Sequence, residues 1–265
     1  VCLPLSMLLG FFETYQKVVI NVKQELILLR SRRDENCYLS AAVGSAEPAV
    51  AKIELSSLTW HVPYLTLDDH HRLELHRHLQ KEKVIRMNFR CLELYEYPLL
   101  PTTQKHVWNV KTSSQVEKPR YVILAFQTAR KNTVRKFSSR FDHCSVTNAK
   151  LFLNSKSYPY DDLNVNFDRN QFAVLYRMYA TFQQSYYGVE HNYPLLSLSQ
   201  YKDKGALIVF DCSKQSESIK SGPIDVMVEF ESSAAFPGET TAYCLIIHDK
   251  AIEYNPLTNI VHRMV

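Results

Sequence analysis

The chain has 265 residues, 46% of them hydrophobic and 22% charged, an ordinary globular balance that excludes an intrinsically disordered protein. Only 6 glycines accompany 16 tyrosines and 13 phenylalanines, and no G-x-G-x-x-G or G-K-[ST] run occurs, which excludes a glycine-rich dinucleotide or P-loop phosphate site. A net charge of +4, from 31 basic against 27 acidic side chains, is too small to point to nucleic acid by itself.

Most of the chain reads as strands. Lys17 to Arg30 is rich in Val, Ile and Leu, and Ala51 to Pro63 alternates around Ile53, Leu55, Leu58 and Trp60, so both predict half-buried strands. Leu67 to about Lys81 reads as a helix opened by a capping box of Thr66 and Asp69, with Leu75 and Leu79 as a thin apolar stripe. Val84 to Tyr97 alternates again through Ile85, Met87, Phe89, Cys91 or Leu92, and Leu94. His106–Lys111, Tyr121–Thr128 and Ala149–Ser155 follow as strands, set off by Pro119 and Pro159. A second helix is predicted beyond Asp168, which is placed to cap it. There Phe172, Leu175, Tyr179, Phe182 and Tyr186 recur at spacings of three and four, and Gly188 supplies a left-handed stop. So wide an aromatic stripe has to be buried, and it is expected to plug the end of a β-barrel. Ala206–Asp211, Ile224–Phe230 and Ala242–His248 complete the strands, among the turn signals Gly222-Pro223 and Pro237-Gly238. Many strands with two short accessory helices predict an all-β jelly roll.

The six cysteines, Cys2, Cys37, Cys91, Cys144, Cys212 and Cys244, are irregularly spaced and form no C-x-x-C pair, so they read as mostly buried, reduced thiols. No N-x-[ST] acceptor occurs, and the apolar start from Val1 to Phe12 lacks a basic flank and is broken by Pro4. These features predict a protein that is not secreted. No apolar run is long enough to span a membrane. The chain opens on Val rather than Met, which suggests that it is part of a longer product.

Candidate chemistry is sparse. His76, His78 and Glu82 have the H-x-H-x-x-x-E spacing of a cupin metal motif, but they fall in the predicted helix, where residues two apart do not share a face. His71, Glu74 and His78 would be the better helical trio, and both sets are read as a solvated charged face. Asp142, His143 and Cys144 are adjacent, and neighbours on an extended chain point apart, so no nucleophilic site is read there. Asp161 and Asp162 read as turn residues after Pro159. Of the basic loops, Arg30–Arg33 reads as solvated surface. Arg130, Lys131, Arg135 and Lys136 are retained as candidate weak contacts to nucleic-acid phosphates. No catalytic constellation emerges, and neither a cofactor nor a metal is called for.

The order of motifs carries more than any one of them. Leu3-Pro4-Leu5, Leu8-Leu9 and Val18-Val19-Ile20-Asn21-Val22 resemble a pattern near the end of the first barrel in double-jelly-roll major capsid proteins. Leu55 to Leu67 leading into Asp68-Asp69 and Arg72-Leu73-Glu74 is similar to the strand and acidic helix that close that barrel. Tyr95-Glu96-Tyr97-Pro98, His106 to Val110 and Lys150 to Asn154, followed by the Phe172–Tyr187 helix, resemble the second barrel. Asp211 to Gln215 with Ser221-Gly222, then Ile224–Phe230 and Ala242–Ile247, resemble its closing strands.

The family includes the shell proteins of Polinton (Maverick) elements, adintoviruses, virophages and large nucleo-cytoplasmic DNA viruses. The likeness is greatest to copies in invertebrate Polinton-like and adintovirus-like insertions. It implies the C-terminal part of such a protein, with residues 1–82 from the first jelly roll and 83–265 as the second. It also implies homotrimers that look pseudo-hexagonal, a neighbouring minor (penton) capsid protein, and a place in the virion after assembly in the host nucleus or cytoplasm. From the residues alone, a jelly-roll module binding carbohydrate or a cell-surface ligand is the alternative, since tyrosine-rich loops stack on sugars.

Overall fold

A computed structural model describes residues 2–20, 22–40, 51–81, 84–111, 118–154, 156–191, 193–214 and 224–264. Among them the strands are β1 (Ile85–Tyr97), β2 (Lys105–Lys111), β3 (Pro119–Thr128), β4 (Val146–Leu153), β5 (Lys156–Tyr158), β6 (Ile208–Asp211), β7 (Val226–Ser232), β8 (Thr240–Asn255) and β9 (Ile260–Arg263). One sheet runs β1-β8-β3-β6, with β9 paired to the far end of β8, and the other runs β2-β7-β4-β5. Every pairing is antiparallel. The chain crosses between the sheets at almost every step, so that strands 1, 8, 3 and 6 face strands 2, 7, 4 and 5. This is the double Greek key of an eight-stranded jelly roll, as the alternating patterns predict.

The core forms where the inward faces meet. On β7, Val226, Val228 and Phe230 point in, and across from them Val122, Leu124 and Phe126 of β3 do the same. An aromatic group ties the sheets together, with the Phe126 and Phe230 rings 5.0 Å apart and both packed on Phe236. β3 is buried on its outer face too, because Tyr121 and Ile123 meet a helix there.

That helix, α3 (Ala173–Tyr187), follows two shorter ones, α1 (Gly10–Thr14) and α2 (Asp69–Gln80), and precedes α4 (Leu198–Lys204). α3 does more than plug one end. Phe172 and Leu175 enter the main core, and Tyr179 packs partly against it. Phe182 and Tyr186 instead sit on Tyr121 and Ile247, on the outer face of the first sheet. Gly188 ends the helix as predicted, at φ 67° and with its N–H on the Gln184 carbonyl.

Several expectations are corrected. Lys17–Arg30 and Ala51–Pro63 join no ladder among the described residues, because alternation makes a strand only where a neighbour supplies hydrogen bonds. α2 is capped by Asp68, which accepts from the His71 N–H at 2.9 Å, and not by Thr66. Asp168 does not cap α3, since Asn166 and Gln171 exchange backbone hydrogen bonds and hold Asp168 in the intervening turn. α4 carries a complete capping box of Ser197 and Gln200 that the sequence reading passed over.

α1 wraps the free edge of β1. Phe11 meets Phe89 ring to ring at 5.2 Å on the inner side, and Glu13 accepts from the Tyr186 hydroxyl at 2.7 Å on the outer side. Gly10 makes this approach feasible, because a Cβ there would lie 2.1 Å from the Arg90 carbonyl oxygen. A covered edge is protected from pairing with a foreign strand.

Candidate functional site

The basic loop after β3 is tied down. Arg130 donates to Asp142 through Nε at 2.9 Å and through its terminal nitrogen at 2.5 Å, while Asp142 also accepts from the Thr128 N–H. Lys131 pairs with Glu96 at 2.6 Å. The loop is further held by mutual hydrogen bonds between Asn36 and Asn132 and by Ser138 donating to the Asn36 carbonyl. Arg135 and Lys136 are exposed, with no side-chain hydrogen bond or ion pair recorded among the described residues. Of the four predicted phosphate contacts, two are therefore already neutralised by carboxylates.

Asp142, His143 and Cys144 line a hollow with Lys202 and Asp203, but each is engaged separately. His143 stacks on Phe167 at 4.5 Å, its Nδ1 accepts from the Ser145 N–H, and burial holds its pKa below the usual imidazole value. Burial pushes the Cys144 thiol up to about 11, away from the thiolate that a nucleophile requires. Asp161 lies in the bend after Pro159, but the Asp162 carboxylate is held by β4 rather than by its own turn, pairing with Lys150 at 2.6 Å and accepting from the Asn148 amide at 3.0 Å.

On α2, the residues within metal-ligand reach of one another are His70, His71 and Glu74, all exposed, rather than either predicted trio. Glu82 lies outside the described residues. A second group, which the sequence reading missed, is Cys91, Glu93 and His248 on the inner face of β1 and β8. No local spacing signals it, because strand pairing alone joins its members.

The cysteines are more varied than expected. All six are free thiols, but only Cys212 and Cys244 are buried; Cys91 and Cys144 are half-buried and Cys2 and Cys37 are exposed. Burial pushes the Cys212 and Cys244 thiols each up to about 12. Brief alkylation of the native protein at pH 8, read by peptide mass spectrometry, is expected to modify Cys2 and Cys37 and to reach Cys212 and Cys244 only after unfolding.

The N-terminal segment carries many exposed apolar side chains. Met7, Ile27, Leu29, Leu58 and Tyr64 are 76%, 72%, 93%, 74% and 94% exposed. The segment carrying them adds no strand to either sheet, and Gly10 is the buried residue among its described positions. Leu94, on the outer face of β1, is also 60% exposed.

Compared with known families, residues 1–252 match the model of the double jelly roll-like domain. No curated protein matches the chain significantly. Among solved structures, the chain is similar to one from the Sputnik virophage, determined by cryo-electron microscopy. The identity there is 10% and the TM-score 0.42, over 69% of this chain and 39% of that one. It is similar also to the mavirus major capsid protein, at 13% identity and a TM-score of 0.39, over 69% of this chain and 42% of that one. The chain thus spans about two fifths of the length of either structure.

Proposed function

We propose, for a chain that belongs to the double jelly roll-like domain family, that its work is structural: it builds a protein shell by associating with copies of itself. The observation that carries this reading is the apolar surface of the N-terminal segment. A soluble monomer rarely presents so many large exposed apolar side chains in one stretch, and covering them with protein is the physical use of such a surface. The motif order read from the sequence extends the proposal to homotrimers with a pseudo-hexagonal outline, to contact with a minor (penton) capsid protein, and to a virion assembled in the host nucleus or cytoplasm.

Light scattering on the purified 265-residue chain tests the reading. The expected species has three times the 30.8 kDa chain mass, and Leu29→Glu together with Leu58→Glu lowers that mass. A protein that stays monomeric at all concentrations overturns the proposal. The alternative, a carbohydrate-binding module, rests on Tyr160, Tyr187 and Tyr193, which are 89%, 62% and 74% exposed. A monomer retained on a glycan array would take that reading's side.

Nucleic-acid contact by the basic loop is part of the proposal, in reduced form. With Arg130 and Lys131 held by carboxylates, Arg135 and Lys136 remain for phosphates. Two contacts give a slope of log affinity on log salt of about −1.8 for duplex DNA, where four would give about −3.6. Fluorescence anisotropy across a salt series measures the slope, and an absence of binding at low salt would leave the loop as solvated surface.

A further inference from the structure

We propose that Cys91, Glu93 and His248 bind one divalent transition-metal ion of the zinc class, a site that stands independently of any shell assembly. Cys91 lies directly opposite His248 in the β1–β8 ladder, and the period of two along a strand puts Glu93 on the same face. The thiol sulfur, a carboxylate oxygen and an imidazole nitrogen all lie within 4.8 Å of one another. Sulfur, nitrogen and oxygen donors of these kinds bind zinc at about 2.0–2.3 Å, so a tetrahedral ion sets neighbouring donors about 3.3–3.8 Å apart. Glu93 Oε1 and His248 Nε2 stand 3.8 Å apart, too far for a hydrogen bond and at the separation of two ligands on one ion.

The surroundings hold this geometry. The other carboxylate oxygen of Glu93 accepts from the Tyr95 hydroxyl at 2.8 Å and from the Lys111 ammonium at 2.7 Å, which aims Oε1 toward His248. Outer partners of this kind orient a metal-ligating carboxylate. His248 is 1% exposed, so packing fixes its ring. Binding sends the Cys91 proton to water, and the ion, thiolate and carboxylate together are then neutral. Among the described residues three donors reach the ion, one short of the four of a tetrahedral site. The exposed group His70, His71 and Glu74 has no such support, since His71 already contacts Asp68 and the whole set lies in solvent.

Cobalt(II) titration of the full 265-residue chain, after dialysis against a chelator, tests the site. One equivalent is expected to bind with a thiolate-to-cobalt charge-transfer band that zinc abolishes. Cys91→Ser should remove the band with the far-UV circular dichroism unchanged, and Tyr95→Phe should weaken binding about 10-fold. Because His248 is buried and its replacement can unfold the barrel, a second readout uses the unaltered chain. Zinc should slow alkylation of Cys91 and leave Cys2 and Cys37, both exposed, at their original rates. A missing band, a band that survives Cys91→Ser, or Cys91 alkylation indifferent to zinc would each overturn the proposal.

Discussion

Phe230→Ala is expected to lower the stability of the barrel by about 3–5 kcal/mol, the range for truncating a fully buried phenylalanine. Phe230 is 0% exposed and sits where the sheets meet, with Phe126 of β3 at 5.0 Å, Phe236 at 5.5 Å and the His106 ring stacked on it at 5.3 Å. Truncation leaves a cavity that neither sheet can close without shifting its register, and register here is pinned by ladders on both sides of β7. Since a domain's net stability is about 5–15 kcal/mol, the loss is a large share of the whole. Urea unfolding followed by circular dichroism measures it as a lower midpoint with an unchanged slope. Phe182→Ala should cost less, because that ring is only partly buried and belongs to the smaller cluster outside the sheet. Equal losses at the two positions would mean that the outer cluster around Phe182 and the sheet interface act as one core.

Residues 83–265 expressed alone are expected to unfold cooperatively, and residues 1–82 alone to show no cooperative transition. The strands and both buried clusters lie beyond residue 84, so the longer piece keeps its hydrogen-bond ladders and its apolar core. The shorter piece keeps the α2 helix, with no buried residue, and two short turns, which is too little to offset the entropy of ordering the chain. The barrel fragment does lose something: without α1, Phe89 on the β1 edge gives up its ring contact with Phe11, and Tyr186 of α3 gives up the Glu13 carboxylate. Its melting temperature should therefore fall below that of the full chain, and an uncovered edge should make it self-associate as concentration rises. Differential scanning calorimetry over a concentration series reads both effects. A soluble, cooperatively folding 1–82 piece would sink the boundary at residue 82.

The parts of this protein that were legible in its sequence are those whose cause is local. The alternation of Val226, Val228 and Phe230 is a property of seven consecutive residues, and so is the stop at Gly188, where only the backbone of that turn matters. The capping box at Ser197 and Gln200 is local in the same way, since its two partners lie three residues apart. Where the partner is distant, the sequence spoke ambiguously. Lys17–Arg30 carries strand-forming residues as good as those of β1, yet it forms no ladder among the described residues, while β1 pairs along its full 13 residues with β8. Arg130 reads as a cation for phosphate until the bridge between Phe126 and Asp142 brings a carboxylate to it. The group of Cys91, Glu93 and His248 has no local signature at all. Side-chain periodicity is set by bonds along the chain, whereas ladders, ion pairs and donor clusters are set by which segments the shared core forces into register. Only the tertiary structure decides that.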